Sequence, residues 1–284
     1  MKLRTIIQWL EELSPLQYAE DWDNVGLLLG DEDQEIHHIM IALDASDYVI
    51  EQAVKQKVDL LLTHHPMIFR AVKQLNNHSL TGRRIWKLAT NGTACYAMHT
   101  NFDIKGGMAE LAGERLELLN PQPLEITTGE GESAEGIGRV GNLDQVLTVK
   151  ELAEQVKERF HIPHVMVYGD VYQRVSRVAI APGSGKSEIS HALDADAGVL
   201  ITGDIGHHEG MDAVDMGLAI IDATHHGLEH IFIDFMADYI QRRHAGSCEN
   251  YNPRMRGGVE ALKEDNTNEL VITVMDTGSP VAIL

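Results

Sequence analysis

The chain has 284 residues, of which 44% are hydrophobic and 23% are charged, a composition typical of globular proteins and not of disordered or fibrous ones. Asp and Glu outnumber Lys and Arg by 43 to 23, so the formal net charge is −20, and we expect no binding to nucleic acid or to an anionic membrane. Only two cysteines occur and no apolar run approaches the roughly 20 residues that cross a bilayer, which favours a protein of the reducing cytoplasm.

The first part of the chain alternates segments of helical and of strand character. Helices are predicted from apolar residues at helical spacing, and buried strands from short, continuous apolar runs. In chain order we predict a helix over 3–13, a loop over 14–30, a strand over 38–44, a helix over 46–57, a strand over 58–63, a helix over 79–91, a strand over 93–98 and a helix over 106–118. This alternation is typical of an α/β fold with a largely parallel sheet.

The composition changes over 125–138, where Gly, Glu, Ser and Thr dominate, and we predict a linker or an excursion there. The alternation then returns, and Thr148 and Glu151 have the spacing of a capping box at the start of a helix. In chain order we predict a helix over 148–160, a strand over 175–181, a helix over 187–193, a strand over 198–202, a helix over 211–216, a strand over 218–223, a helix over 228–243 and a strand over 269–275. The predicted domains are a first α/β lobe at 1–124, a second at 139–255, and a C-terminal segment at 256–284 whose lobe is left open.

The two halves of the sequence resemble each other. An offset of 139 places HIMIALDAS over RVAIAPGSG and Thr63 over Thr202. An offset of 126 places CYAMHTNFD over IDATHHGLE, with Asp103 over Glu229. Two matched blocks in the same order indicate a duplication, so we expect two similar α/β lobes.

Histidines and carboxylates follow the predicted strands at matching places in both halves. The residues concerned are His64, His65, His99, Asp103, His225 and Glu229. Because ligands gather at the carboxyl ends of parallel strands, we expect these side chains to form a site. Imidazole and carboxylate suit zinc, iron, manganese or nickel, and shared carboxylates are typical of a pair of ions. The alternatives are ordinary hydrogen bonds for the histidines, a helix cap for Asp103, and interaction of Glu229 with a helix dipole.

Other polar groups have weaker functional interpretations. His99 is a candidate metal ligand, proton shuttle or orienting group, and His207 and His208 are candidates to line a cavity. His226 is assigned to a supporting role or to solvent. The remaining histidines singled out are expected on the surface: His37, His38, His161, His164, His230 and His244. APGSGKS (181–187) lacks the first glycine of a phosphate-binding loop, since Ile180 stands there, and is interpreted as a tight turn whose amides could bind an anion.

Several motifs together carry a resemblance over essentially the whole chain. They are EDWDNVGLLLGD (20–31), LLLTHHP (60–66), HTNFDIKGGMAELAGERLEL (99–118), the glycine turn at 183–185, LITGDIGHHE (200–209) and HHGLE (225–229). The chain resembles the Nif-three-like dinuclear-metal family, often labelled GTP cyclohydrolase I type 2 homologue.

This resemblance implies two similar α/β lobes around a cleft that holds two divalent ions per chain. The implied metal ligands are His64, His65, Asp103, His225 and Glu229, with Asp103 and Glu229 as the bridging carboxylates. It also implies a toroidal homohexamer, in the compact form that lacks an inserted domain, because 120–140 is too short to hold one.

The sequence therefore leads to two functional hypotheses. The first is a metal-dependent hydrolase that acts on a small molecule containing a phosphate or a purine, with His99 or His208 moving protons. The second is a non-catalytic protein that stores or delivers metal, or serves as a regulatory scaffold. A substrate pocket beside the ions would favour the enzyme, and a labile metal in an open site would favour storage.

Overall fold

The computed structural model describes residues 1–246 and 270–281 and contains two β-sheets with their helices. In chain order its first elements are α1 (Leu3–Leu13), β1 (Gly26–Leu29), β2 (His38–Ala42), α2 (Asp47–Lys55), β3 (Leu60–Thr63), α3 (Leu80–Thr90), β4 (Ala94–Ala97), α4 (Thr100–Ile104), α5 (Met108–Arg115) and β5 (Leu119–Thr128). The remaining elements are β6 (Glu135–Thr148), α6 (Val149–Phe160), β7 (Met166–Tyr168), β8 (Arg174–Ser184), α7 (Glu188–Asp194), β9 (Val199–Gly203), α8 (His207–Asp215), β10 (Ala219–Asp222), α9 (His225–Glu229), α10 (Ile231–His244) and β11 (Val271–Met275). The predicted α/β class is confirmed.

The first compact unit comprises Met1–Phe102 and Phe232–Thr277. Its sheet has the order β1-β4-β3-β2-β11, in which β1 is antiparallel to β4 and the other neighbours are parallel. Helix α2 begins where predicted because the Ser46 hydroxyl accepts a hydrogen bond from the Val49 amide at 3.2 Å. The apolar face of α2 then packs on the sheet, with Val49 and Ile50 buried. This packing fixes the parallel strands whose carboxyl ends carry the candidate histidines.

The second compact unit comprises Asp103–Ile231 and Gly278–Leu284. Its sheet has the order β5-β6-β8-β9-β10-β7, with β8, β9 and β10 parallel and the other neighbours antiparallel. Helix α6 starts with the predicted capping box, in which the Thr148 hydroxyl accepts from the Glu151 amide and the Glu151 carboxylate accepts from the Thr148 amide.

The linker predicted at 125–138 is instead part of the hairpin formed by β5 and β6. Its glycines gave the segment the composition of a loop, but at least one of them lets two backbones meet. A Cβ at Gly136 would lie 1.7 Å from the carbonyl oxygen of Glu125 on the partner strand. The segment is therefore ordered by backbone pairing, although few of its side chains are buried.

The domain boundaries also differ from those predicted at 124, 139 and 255, because the chain returns to the first unit after α9. Helix α10 contacts α1, where the Tyr239 hydroxyl donates to the Trp9 carbonyl at 2.7 Å. The C-terminal strand β11 pairs with β2, which assigns that part of 256–284 to the first unit. Residues 256–269 and 282–284 of the predicted C-terminal segment lie outside the described residues.

The two sheets share a four-strand pattern, β1-β4-β3-β2 in one and β7-β10-β9-β8 in the other, each with its first strand antiparallel. The strand register agrees with the predicted offset of 139. Ile39 pairs with Leu60 in the first sheet, and the residues 139 positions later, Val178 and Val199, pair with each other in the second. The offset of 126 is wrong by one residue. Leu60 pairs with Ala94 in the first sheet and Val199 pairs with Ala219 in the second, so Ala94 and Ala219 are equivalent and lie 125 positions apart. Helices α4 and α9 also begin and end 125 positions apart.

Consequently Asp103 is level with Leu228 in the repeat, and Ile104 is level with Glu229. The histidines and acids of the two halves resemble each other in type, but strand hydrogen bonds set the register independently of them. Thr224, just before α9, has a left-handed backbone with φ of 64°. That conformation is strained for a β-branched residue, and such strain is concentrated at functional sites.

The predicted loop at 14–30 contains strand β1, and the helix predicted over 228–243 is interrupted between α9 and α10. Helix α8 starts at His207, four residues earlier than predicted. Within 1–246 and 270–281, no helix has the length and apolar character needed to cross a membrane.

Candidate metal centre

Three histidines come together in the first unit. His64 and His65 directly follow the last residue of β3, and His99 follows β4 two residues after its end. Their ring centroids are 4.9 Å (His64 to His65), 5.3 Å (His64 to His99) and 5.6 Å (His65 to His99) apart. One ring nitrogen from each lies within 4.8 Å of the other two. The prediction that strand ends would gather imidazoles is met here for these three residues.

Each of these rings is held through its Nδ1 atom. His64 Nδ1 lies 2.6 Å from the Met98 carbonyl oxygen, His65 Nδ1 lies 2.9 Å from Asp44 Oδ1, and His99 Nδ1 lies 2.9 Å from Asp23 Oδ1. Carbonyl and carboxylate oxygens only accept, so the hydrogen sits on Nδ1 and the lone pair is left on Nε2. Metal-binding histidines in proteins are oriented in this way.

Aromatic side chains form a wall behind His64, which is fully buried. The ring centroid of His64 is 5.4 Å from that of Phe232 on α10 and 6.2 Å from that of Phe102 on α4. Phe102 and Phe232 also contact each other edge to face at 5.2 Å. A ring fixed on one side by apolar packing and at Nδ1 by a carbonyl has a single orientation available.

Asp23 lies in the EDWDN motif, and no role was predicted for it from the sequence. Its buried carboxylate accepts from His99 Nδ1, from the Thr100 amide at 3.0 Å and from the Thr100 hydroxyl at 2.6 Å. Burial alone would raise the pKa of Asp23, but the hydrogen bonds from His99 and Thr100 outweigh it and lower that pKa to about 2. Asp23 is therefore an ionised acceptor that orients His99.

We expect Asp23→Asn to weaken divalent-metal binding about 10-fold, because Asp23 holds the His99 ring against His64 and His65, two of the proposed ligands, at 5.3 and 5.6 Å. An amide cannot accept from all three donors without presenting its own NH₂ group to one of them. Competition titration of Zn²⁺ against a chromogenic chelator measures this change. The control is Asp21→Asn, an exposed neighbour on the same loop. Equal Zn²⁺ affinity in Asp23→Asn and wild type would contradict the assigned role.

The same variant should change acid stability. The pKa of Asp23 is lower in the folded state than its ordinary value of 3.8, so Asp23 contributes stability above that pH which is lost as the pH falls from 3.8 towards 2. Asp23→Asn should lack this part of the acid-induced loss, which denaturant titrations between pH 5 and pH 2.5 would detect.

A second pair of candidate ligands lies in the second unit. His225 is the first residue of α9, and its Nδ1 lies 2.7 Å from Asp204 Oδ2. Its Nε2 lies 2.9 Å from Glu229 Oε2, one helical turn further on. A neutral imidazole has only one N–H, so it can donate to only one of two carboxylates. A second proton on the ring or a metal ion at the Nε2 face would resolve this conflict, so the pair offers one nitrogen and one carboxylate oxygen to a metal ion.

The backbone around Glu229 and His225 is closely packed. A Cβ at Gly183 would lie 2.5 Å from Glu229 Oε1, and a Cβ at Gly203 would lie 2.4 Å from the His225 amide nitrogen. The glycine turn predicted at 183–185 therefore serves close approach to a candidate ligand.

The other predicted site residues are less closely associated. Asp103 is half-buried in the first turn of α4, and His208 is exposed on α8 with its ring 5.3 Å from that of His207. Neither belongs to a group of potential metal ligands among residues 1–246 and 270–281. His226 stacks on His230 with ring centroids 5.8 Å apart.

The structure contains a further ligand-like group that the sequence analysis missed, formed by Glu125 on β5 with Glu188 and His191 on α7. Glu188 is buried, and its Oε2 atom lies 3.2 Å from His191 Nδ1. Burial raises the pKa of Glu188, and the nearby Glu125 carboxylate raises it further. Glu125 lies 63 positions before Glu188 in the sequence, and only folding brings the two side chains together, so no local pattern could have indicated the group.

Glu188→Gln is expected to raise the melting temperature at pH 8 by about 2–4 °C. This shift corresponds to removing a cost of about 1 kcal/mol for burying the ionised carboxylate. Because the folded-state pKa of Glu188 is raised, stability is lost as the pH rises from the ordinary value of 4.5 through the folded-state pKa, and a neutral amide avoids this loss. The gain should shrink at pH 5. Thermal scans at both pH values measure it, with the exposed Glu158→Gln as control. A lower melting temperature would instead mean that Glu188 is ionised and paired with a cation.

Comparisons with known proteins agree with this architecture. The family model for Duf34/NIF3 (NGG1p interacting factor 3) matches residues 1–252. A protein of Clostridium perfringens called "GTP cyclohydrolase 1 type 2 homolog" is 33% identical over 244 residues, which cover 86% of this chain and 92% of that protein. A Methanocaldococcus jannaschii protein with the same description is 34% identical over 232 residues, covering 81% and 90%.

Two solved structures share the fold. A Bacillus cereus protein related to NIF3 superimposes with a TM-score of 0.86 over 100% of this chain and 99% of its own, at 21% identity. Reduced HcgD from Methanocaldococcus jannaschii superimposes with a TM-score of 0.74 at 31% identity, covering 85% of this chain and 94% of its own.

Proposed function

The chain belongs to the Duf34/NIF3 family, and from this premise we propose that it binds two divalent metal ions and hydrolyses a small molecule that contains a phosphate or a purine. The observation that carries this proposal is the orientation of the candidate histidines. His64, His65 and His225 each present Nδ1 to an oxygen acceptor, which is the arrangement of imidazoles prepared to bind metal through Nε2.

The proposed ligands are His64, His65, Asp103, His225 and Glu229, with Asp103 and Glu229 as bridging carboxylates. When bound, a pair of divalent ions would lower the pKa of a water molecule and polarise the group under attack. Imidazole and carboxylate donors are compatible with zinc, iron, manganese or nickel.

The chain's own groups supply positioning and proton transfer. Asp23 keeps the hydrogen of His99 on Nδ1, so His99 Nε2 is available to accept a proton from a reacting group. His208, exposed at the start of α8, is the second proposed proton carrier. Phe102 and Phe232 exclude water from one side of His64.

Metal-dependent turnover is the test of this function. Protein loaded with Zn²⁺, Mn²⁺ or Fe²⁺ is incubated with GTP, and the assays follow inorganic phosphate and formate. Formate is released when one water opens the imidazole ring and a second water hydrolyses the formamide that results. We expect turnover that a chelator abolishes and that His64→Ala lacks. Absence of both products with every metal would rule out release of inorganic phosphate from GTP and hydrolysis of its ring to formate.

The competing function is storage or delivery of metal, or a regulatory scaffold. The partial exposure of the His65 and His225 side chains, 22% and 34%, favours exchange of a bound ion with solution. Rapid transfer of bound Zn²⁺ to a chelator, together with an absence of turnover, would support this alternative.

We also propose that the chain associates with itself as a homohexamer, on the basis of the family resemblance. Copies that each carry a formal charge of −20 repel one another, so assembly would tighten as salt screens that repulsion. Light scattering at 0.05 M and 0.3 M salt, with and without chelator, measures the mass. A metal-loaded monomer at micromolar concentration in 0.15 M salt would contradict the proposal.

A further inference from the structure

Two large aromatic side chains next to His99 are exposed to solvent. Trp22 is 59% exposed and Phe69 is 47% exposed, and their ring centroids are 5.9 Å apart at an interplanar angle of 58°. Both meet His99 edge to face, Trp22 at 6.1 Å and Phe69 at 6.4 Å. The pair therefore lies beside the three-histidine cluster of the first unit, with about half or more of each side chain open to solvent.

The loops that carry these rings are anchored by polar contacts on the residues next to them. Asp23 binds His99 and Thr100, and Asn24 Nδ2 donates to the carbonyl of Ile68. Trp22 thus precedes two fixed residues, and Phe69 follows a third. Because burial of an aromatic side chain is favourable, anchored backbones that leave two such rings in water indicate that something else covers them.

The loop after Phe69 also carries positive charge in a strongly acidic chain. Arg70 and Lys73 are both exposed, and neither forms an ion pair among the residues that the structure describes. Unpaired cations in a protein of formal charge −20 would attract an anion selectively to this loop. Aromatic faces beside cations are how proteins bind planar bases that bear phosphate.

We propose that Trp22 and Phe69 form a stacking platform for a planar heteroaromatic ring that carries an anionic group, and that this platform presents the ring to the histidine cluster. The inference rests on the proposed function, for which it supplies the residues that position the substrate ring. Trp22 and Phe69 bind the ring through its π-face, and Arg70 and Lys73 attract its anionic group.

The probes are GTP and ATP, with inorganic triphosphate as the anion without a ring, and the method is calorimetric titration of the full chain with metal bound. Trp22→Ala should weaken nucleotide binding about five- to hundredfold, the loss expected from removing one aromatic stack. Its affinity for inorganic triphosphate should be unchanged. Trp22→Phe keeps an aromatic face and should restore nucleotide binding to within a few-fold of wild type.

The matched control is Trp86→Ala. Trp86 is 60% exposed on α3, as exposed as Trp22, and it has no aromatic contact among the described residues. Equal nucleotide affinity for Trp22→Ala and Trp86→Ala would overturn the platform, as would failure of both nucleotides to bind the wild type at millimolar concentration. A Trp22→Ala variant whose mass by light scattering falls would overturn it too, because the rings would then be covered by another copy of the chain.

This binding test is separate from the test of hydrolysis. Stacking that depends on Trp22 without any turnover would overturn the proposed enzyme and leave the platform intact. Turnover of GTP with an unchanged KM in Trp22→Ala would overturn the platform and leave the enzyme intact.

Discussion

Replacing Asp103 and Glu229 together by Ala is expected to reduce bound divalent metal from about two ions per chain to less than one. These are the two proposed bridging carboxylates, and without them the neutral imidazoles would have to hold divalent charge unaided. Metal content after dialysis, measured by mass spectrometry against protein concentration, gives the stoichiometry. The matched control is the double variant Asp144→Ala/Glu158→Ala, which removes the same charge from exposed positions.

Retention of full metal content by the Asp103→Ala/Glu229→Ala variant would refute the proposed ligand set. The two single variants add resolution. Glu229 lies 2.9 Å from His225 Nε2, whereas Asp103 belongs to no ligand group among the described residues. A loss in Glu229→Ala alone would therefore retain the His225–Glu229 pair as a ligand pair and remove Asp103 from the set.

Gly203→Ala is expected to destabilise the fold by at least about 3 kcal/mol, equivalent to a fall in melting temperature of roughly 10 °C. Gly203 is the last residue of β9, and an added Cβ would lie 2.4 Å from the His225 nitrogen, 2.6 Å from the Thr224 carbonyl carbon and 2.9 Å from the Gly183 oxygen. All three are backbone atoms, so no side chain can rotate to make room. Thermal and urea denaturation measure the loss.

Gly113→Ala is the matched control for this substitution. Gly113 is a buried residue within α5, and an added Cβ would lie 3.4 Å from Arg139 Cγ, an ordinary contact with a flexible side chain. Because Ala favours helix more than Gly does, this change should be neutral or stabilising by up to about 1 kcal/mol. If both variants unfold at the same temperature, the close approach at Gly203 is not a constraint in solution.

Much of the fold could be predicted because its signals are local. The continuous apolar runs of β2 and β3, the Ser46 cap and the Thr148 capping box each depend on a few neighbouring residues. The hairpin of β5 and β6 could not be predicted in this way. It is held by backbone hydrogen bonds between strands whose side chains are mainly exposed and polar, so hydrophobic periodicity is weak there.

The histidines of the candidate site could be predicted from the sequence, but the carboxylates that orient their rings could not. His64, His65 and His99 follow apolar runs, where parallel strands end. Their partners Asp44 and Asp23 are 21 and 76 residues distant in sequence, and only folding brings them to a ring nitrogen. The one-residue error in the repeat has a related cause, because similar residue types matched while strand register set the true equivalence.

The hydrogen bonds at Nδ1 of the histidines affect both the rate and the entropic cost of metal uptake. A free side chain loses about 0.5–1.5 kcal/mol of rotamer freedom when it is immobilised by a ligand. At His64, His65 and His225 that freedom is restricted when the chain folds, because a main-chain or carboxylate oxygen already fixes each ring. Uptake should then leave these rings in place, with release of water from the ion as the slow event and a favourable entropy change from that release.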